Sequence, residues 1–165
     1  MGIKRFLWHL VVDRWAVRLR FPKATMQAIE DAIATEEQRH DGELRFAVEA
    51  ALPLADLIAG TSAHERAIEL FSRLRVWDTE QNAGVLIYLL LADRRVEIVA
   101  DRGIHARVGA TAWEAICGAM QREFTQRRFE QGAITGVRAI SDLLATHFPP
   151  RGVNPDELTN RPVVV

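Results

Sequence analysis

The residues best suited to chemistry lie in two short segments, "DTEQN" from Asp78 to Asn82 and "DRGIHARVG" from Asp101 to Gly109. In the first, side-chain oxygens alternate at Asp78, Glu80 and Asn82, the spacing with which an EF-hand loop opens. A hard divalent cation, Ca²⁺ or Mg²⁺, takes oxygen ligands of this kind. The segment then leaves that motif: Ala83 stands at the sixth position, where glycine makes the sharp turn, and Leu89 at the twelfth, where glutamate chelates. A solvated acidic loop is the competing reading. The second segment is basic. Arg102, His105 and Arg107, with Arg127 and Arg128 further along, could line a positive pocket for a phosphate, an acidic peptide or a lipid head group. A helix starting near Thr111 would add its N-terminal dipole. The alternative is a scatter of solvated arginines, since charged side chains are mostly exposed.

Other chemistries find less to work with. Glu43, Arg45 and Glu49 on one segment and Arg95, Glu97 and Asp101 on another could meet as cross-strand ion pairs. Arginine neighbours would keep those carboxylates ionised, which suits structure better than acid–base work. No serine sits in a Gly-x-Ser-x-Gly elbow. "HERAI" starts like a zinc-protease helix but has Ile68 where the second histidine must stand. Cys117 falls on an apolar helical stripe, where a thiol is inert. No residue is therefore assigned a catalytic role.

Strands and helices must position these segments. Val85 to Ala92 is an unbroken apolar run, expected as a central strand covered on both faces. The short "ADRR" break, Ala92 to Arg95, predicts a hairpin and an antiparallel third strand. "ELRFAVEAAL" alternates, with Leu44, Phe46, Val48 and Ala50 facing a core and Glu43, Arg45 and Glu49 facing water. Between these strands, Ser62 and Glu65 are spaced as a capping box, followed by a stripe of Ile68, Phe71 and Leu74. Strand, helix and strand in series imply a parallel pair. Thr111 and Glu114 suggest another capping box before Trp113, Cys117, Met120 and Phe124. The last helix uses Ile134, Val137, Ile140 and Leu144, and its Gly132 and Gly136 predict close helix packing.

The N-terminal region reads as one helix from about Lys4 to Leu19, followed after Pro22 by a second carrying Met26, Ile29 and Ile33. That second helix should stop near His40 to Gly42, with Gly42 supplying a positive φ. The first has a wide apolar arc of Phe6, Leu7, Trp8, Leu10, Val11, Val12, Trp15, Val17 and Leu19 beside Lys4, Arg5, Arg14, Arg18 and Arg20. Burial against the fold or a partner is one outcome, and lying flat on an anionic membrane is the other. The tail from Phe148 is proline-rich and extended, and its terminal valines favour docking on this domain or on a symmetry mate.

The expected fold class is α/β, a three-layer α/β/α sandwich with a small mixed sheet of three or four strands. Extra N-terminal helices (1–41) precede the α/β/α domain (42–148), and an extended tail (149–165) follows. At 165 residues and 48% apolar composition, the chain suffices for one domain with a core. Its 21 basic and 22 acidic residues nearly cancel, which argues against nucleic acid as a partner. A lone cysteine suits a reducing compartment, and no apolar run reaches the length of a membrane span.

"NAGVLIYLLLADRRVEIVADRGI", a following helix and "FTQRRFEQGAITGV" together resemble the TPM domain, a family named for thylakoid-lumen, photosystem-repair and receptor-modulator proteins. The resemblance spans Gly42 to Phe148. It implies an α/β/α fold with a mixed sheet, acid phosphatase activity in some members and calcium at acidic loops beside the sheet in others. It also brings Asp101 towards the first segment, so that Asp78, Glu80, Asn82 and Asp101 make up the candidate metal set. Four positions that are typically acidic in the family read Asn82 (the family's Asp-Asn-Gly is Asn82-Ala83-Gly84 here), His105, Ala110 and Arg128. Fewer carboxylates mean a weaker cation site, and added arginines turn its sign towards anions.

The function expected from all this is a TPM-domain binding or assembly module with little or no catalysis. It would be cytoplasmic or peripheral to a membrane, with a protein partner, and oligomeric assembly is compatible with it. The alternative is a divalent-metal-dependent phosphatase-like hydrolase that uses the four-residue metal set.

Overall fold

The structure is a computed structural model describing residues 3–152 and 157–165. Its elements run α1 (Ile3–Val11), α2 (Arg14–Arg20), α3 (Lys23–Glu36), β1 (Glu43–Glu49), α4 (Leu54–Ala59), α5 (Ala63–Arg73), β2 (Gly84–Leu90), β3 (Arg95–Ala100), α6 (Arg102–Val108), α7 (Ala110–Thr125), α8 (Phe129–His147) and β4 (Val163–Val164). The sheet order is β3-β2-β1-β4, with β1 parallel to both β2 and β4, and β3 antiparallel to β2. This is the mixed α/β sandwich that the apolar runs predict.

Side-chain alternation along the strands builds two cores. Leu44, Phe46, Val48, Val85, Ile87 and Leu89 face a layer that includes Ile29 of α3, Met120 of α7 and Val137, Ile140 and Leu144 of α8. Ala47, Leu86, Tyr88 and Leu90 face Leu57 of α4 and Ala67, Leu70 and Phe71 of α5. Gly132 and Gly136 let α8 settle on α7, for a Cβ at Gly132 would come within 2.5 Å of the Phe124 ring and one at Gly136 would strike the Met120 sulfur. Leu158, Val163 and Val165 of the tail join the second core, and β4 pairs with β1 at Ala47 and Val48. Residues 153–156 of that tail lie outside the described residues.

Several local expectations are corrected. The N-terminal helix is two helices, because the Asp13 carboxylate accepts the Trp15 and Ala16 N–H groups and starts a new helix there. Gly42 is not a left-handed cap. It supplies close approach instead, since a Cβ there would meet Leu144 at 2.5 Å. All seven residues of β1 are buried, so its charged face is covered as well. The Ser62–Glu65 capping box forms, but Ile68 is exposed while Arg66 turns inward. Thr111 and Glu114 form no such box: Gly109 precedes α7 with no side-chain cap. The "DRGIHARVG" segment is helical, as α6, rather than a strand rim. Finally, β2 lies between β1 and β3, so the cross-strand ion pairs expected between Glu43, Arg45 or Glu49 and Arg95, Glu97 or Asp101 have no shared edge.

Candidate functional site

The first candidate segment sits where β2 begins and β3 ends. Arg75 and Asn82 take left-handed backbone conformations, φ +55° and +52°, which fold residues 75–82 into a tight loop. Asn82 donates its N–H to the Thr79 carbonyl, and Ala83 donates to the Thr79 hydroxyl. Helix α6 presses its first turn onto this loop: the Ile104 N–H reaches the Asn82 carbonyl at 3.3 Å. A Cβ on Gly103 would stand 2.5 Å from the same carbonyl oxygen, so only glycine fits the junction.

Some of the oxygens expected to bind a cation are already engaged. Asp78 forms an ion pair with Arg75 at 2.6 Å, and the Asn82 side-chain carbonyl accepts from Arg102 Nε at 3.3 Å. Asp101 caps α6 through Oδ1, which accepts the Arg102 N–H at 2.6 Å. Its Oδ2 is buried without a hydrogen-bond partner. Glu80 has an exposed side chain and donates its backbone N–H to Glu157 of the tail. Among the described residues no three His, Cys, Asp or Glu side chains gather around one point that an ion could occupy. A calcium ion needs six to eight oxygens, and two guanidiniums stand on the ones present here. As arranged, this donor set does not fit the ion, and no reaction step runs through it.

The basic set does not converge on one pocket either. Arg107 donates to the His147 carbonyl at 2.5 Å and stacks over the Phe148 ring at 4.4 Å, beyond the C-terminal end of α8. Arg127 and Arg128 precede the N-terminal end of that helix, whose 19 residues span about 28 Å. Arg128 is also paired with Glu123, and this hydrogen bond holds the Glu123 carboxyl below its usual range. Arg102 lies on Asn82, and His105 is exposed on α6. Burial pushes the Cys117 thiol up to about 11, which keeps it protonated and unreactive.

At the opposite end of the sheet Glu49 is buried on partners, Arg66 and Tyr88, that sequence reading passed over. Arg66 is buried and grips Glu49 with both Nε (3.0 Å) and Nη2 (2.8 Å), while Tyr88 donates its hydroxyl to the same carboxylate at 2.6 Å. Burial, and then the Glu49 charge, hold the Tyr88 proton far above its usual pKa. The signal available was an acidic residue closing an apolar strand. Beyond it, α1 lies across the carboxyl ends of β1 and β2. His9 is buried, accepts the Leu52 N–H at Nδ1 (3.1 Å) and faces Asp93 Oδ1 through Nε2 at 2.9 Å. Those partners assign the proton to Nε2 and leave no ring nitrogen for a substrate. Arg5 adds hydrogen bonds of 2.8 to 3.1 Å to Asp93 and a 2.9 Å bond to the Thr61 carbonyl. Burial raises the Asp93 pKa, yet the hydrogen bonds from Arg5 and His9 outweigh it and the net shift is downward.

Helix α1 is thus bound to the domain by Arg5 and His9, with Phe6 packed on the second core. Its other large apolar residues point outward: Leu10 is 60% exposed and Val11 71%, and on α2 Trp15 and Leu19 reach 68% and 70%. Leu7 and Trp8 are exposed beside them, as are Leu54 and Ile58 of α4, the helix between the Leu52 and Thr61 groups that bond to α1. Residues 1–23 contain six basic residues and one acidic, a net charge of +5, whereas the chain as a whole carries −1. No described helix is long and apolar enough to cross a membrane.

Comparison with known proteins places this architecture. No curated protein sequence matches the chain. The NMR structure of BA42 protein from the psychrophilic bacterium Bizionia argentinensis is 30% identical, with a TM-score of 0.76 over 86% of this chain and 93% of that one. The N-terminal domain of a protein from P. gingivalis, solved by solution NMR, shares the fold at 17% identity, TM-score 0.61, over 79% of this chain and 82% of that one. The TPM domain matches residues 20–143, so the match begins before α3 and takes in the helix whose Ile29 and Ile33 fill the first core. The chain belongs to the TPM domain family.

Proposed function

We propose that this TPM-family chain is a binding module that docks on anionic lipid bilayers through α1 and α2. The observation that carries the reading is the inverted burial of α1, with His9 inside and Leu7, Leu10 and Val11 outside. Contiguous exposed apolar surface rimmed by polar groups marks an interaction site. Its cationic surround selects among occupants: a net charge of +5 over residues 1–23 complements an anionic surface, and Trp8 and Trp15 are residues favoured at head-group depth. Moving each large apolar side chain from water to hydrocarbon contributes roughly 1.5–3 kcal/mol. Each nearby Lys or Arg adds about 1 kcal/mol at an anionic surface.

Co-sedimentation with phosphatidylglycerol vesicles tests the reading. Binding is expected at low salt, weaker at high salt, and reduced at least about tenfold by Leu10→Glu or Trp15→Glu, both at exposed positions. No binding to anionic vesicles would sink the proposal. Self-association of the chain, lost in the same variants, would assign the face to a second copy instead.

A further inference from the structure

Beside the outward face of α1 the surface opens into a cleft of about 830 Å³, between α1, the start of α5 and the β2–β3 turn. We infer that this cleft receives the phosphate of an anionic glycerophospholipid, an inference that deepens and rests on the docking reading. The charge balance supports an anion. Of the two acids of the cleft, Asp93 is matched by Arg5, and Glu97 lies 3.2 Å from His64 Nδ1. Lys4, Arg94 and Arg95 also line it, all exposed, and none is held by an ion pair among the described residues. Three cations therefore face one opening that holds a single further carboxylate, Glu97, a surplus of two positive charges.

The position of Trp8 distinguishes a lipid from a free anion. Trp8 lines the cleft and also belongs to the exposed apolar row. Arg94, in a left-handed turn conformation (φ +52°), holds its guanidinium 5.8 Å from the Trp8 ring centroid. Lys4 stands one helical turn before Trp8 and so shares its side of α1. Cations and an indole ring at the margin of an apolar face reproduce the layering of a bilayer interface, with acyl chains beneath Leu7, Leu10 and Val11 and phosphate at the level of Trp8. The carboxyl ends of β1 and β2 open towards the same side, the general location of ligands in open α/β sheets.

The test is amide NMR on the full chain with monomeric dihexanoyl phosphatidylglycerol, with dihexanoyl phosphatidylcholine and inorganic phosphate as separate arms. The expected result is saturable shifts at Lys4, Trp8, Arg94 and Arg95 with the anionic lipid, and little change in the other two arms. Arg94→Glu with Arg95→Glu should weaken that binding at least about tenfold, and Lys4→Glu less, without altering the fold, because all three side chains are exposed. Equal shifts with phosphatidylcholine, which carries the same phosphodiester beside a compensating choline cation, would overturn the assignment to an anionic lipid. Equal shifts with inorganic phosphate alone would overturn the lipid source. Vesicle binding without shifts in the cleft would overturn this inference and leave the docking reading intact, whereas no vesicle binding would remove the docking reading itself.

Discussion

The two ends of the sheet are built from similar residue types and treat their charges in opposite ways. At the end where β2 begins, the loop and α6 neutralise themselves, with Asp78 on Arg75, Asn82 under Arg102, and Asp101 capping α6. Seven residues away along β2, roughly 20 Å, the other end buries its polar groups and exposes apolar and cationic ones. The difference teaches where surplus lies. A site needs groups that the fold has not already satisfied: at the loop end that is the buried Asp101 Oδ2, whereas exposed apolar and cationic side chains surround α1.

Five substitutions or titrations break or sharpen that contrast, beginning with the largest expected effect. Arg66→Met leaves Glu49 buried without its counter-charge and should lower stability by about 3–5 kcal/mol, read by chemical denaturation. A loss under 1 kcal/mol would mean that the pair is more solvated than its burial implies. At the loop end, Gly103→Ala should cost about 2 kcal/mol, since the new methyl meets the Asn82 and Gln81 carbonyls at 2.5 and 2.8 Å. Hydrogen exchange should place that damage in residues 79–84 and not in α1.

Asp93→Asn should weaken the hold on α1 by about 1–3 kcal/mol, seen as faster exchange and proteolysis of residues 3–11 with the loop end unchanged. The same contact predicts a pH dependence. Because the folded-state pKa of Asp93 is depressed, its stabilisation is present above the unfolded carboxylate value of about 3.9 and is lost as pH falls through the lower folded value. Protection of α1 should therefore persist at pH 5, begin to weaken near about pH 4 and be lost below the depressed folded value. The smallest effect is expected from Ca²⁺. Millimolar Ca²⁺, enough for even weak sites of roughly 10⁻⁴–10⁻³ M, should give no saturable amide shifts at Asp78 to Asn82 or Asp101 to Gly103. Saturable shifts there, with divalent-dependent phosphatase turnover abolished by Asp101→Asn, would restore the loop end as the working site.

Much of the scaffold was legible because its signals are local or periodic. Val85 to Leu90 had only apolar residues to offer either face, and the short Ala92 to Arg95 break left room for little but a hairpin. Ser62 and Glu65 capped α5 as their spacing requires. Reading failed where a long-range partner reversed a local preference. Ile68 lost its place in the core to Arg66 because Glu49, 17 positions earlier, needed a buried counter-charge. The candidate site failed for a related reason. Spacing shows that Asp78, Glu80 and Asn82 can point one way, but not that Arg75 will hold the Asp78 carboxylate and Arg102 the Asn82 oxygen.

The sequence by itself determined the α/β class, the strand pair at the centre and the basic, apolar character of the N-terminal helices, since each depends on composition and period within one segment. Only the tertiary structure decided which side of α1 faces the domain. That choice rests on Asp93, 84 residues from His9, and on the Leu52 N–H. A buried imidazole with both nitrogens satisfied stabilises the polar side of the helix inside, and the apolar side is left to water or to a membrane.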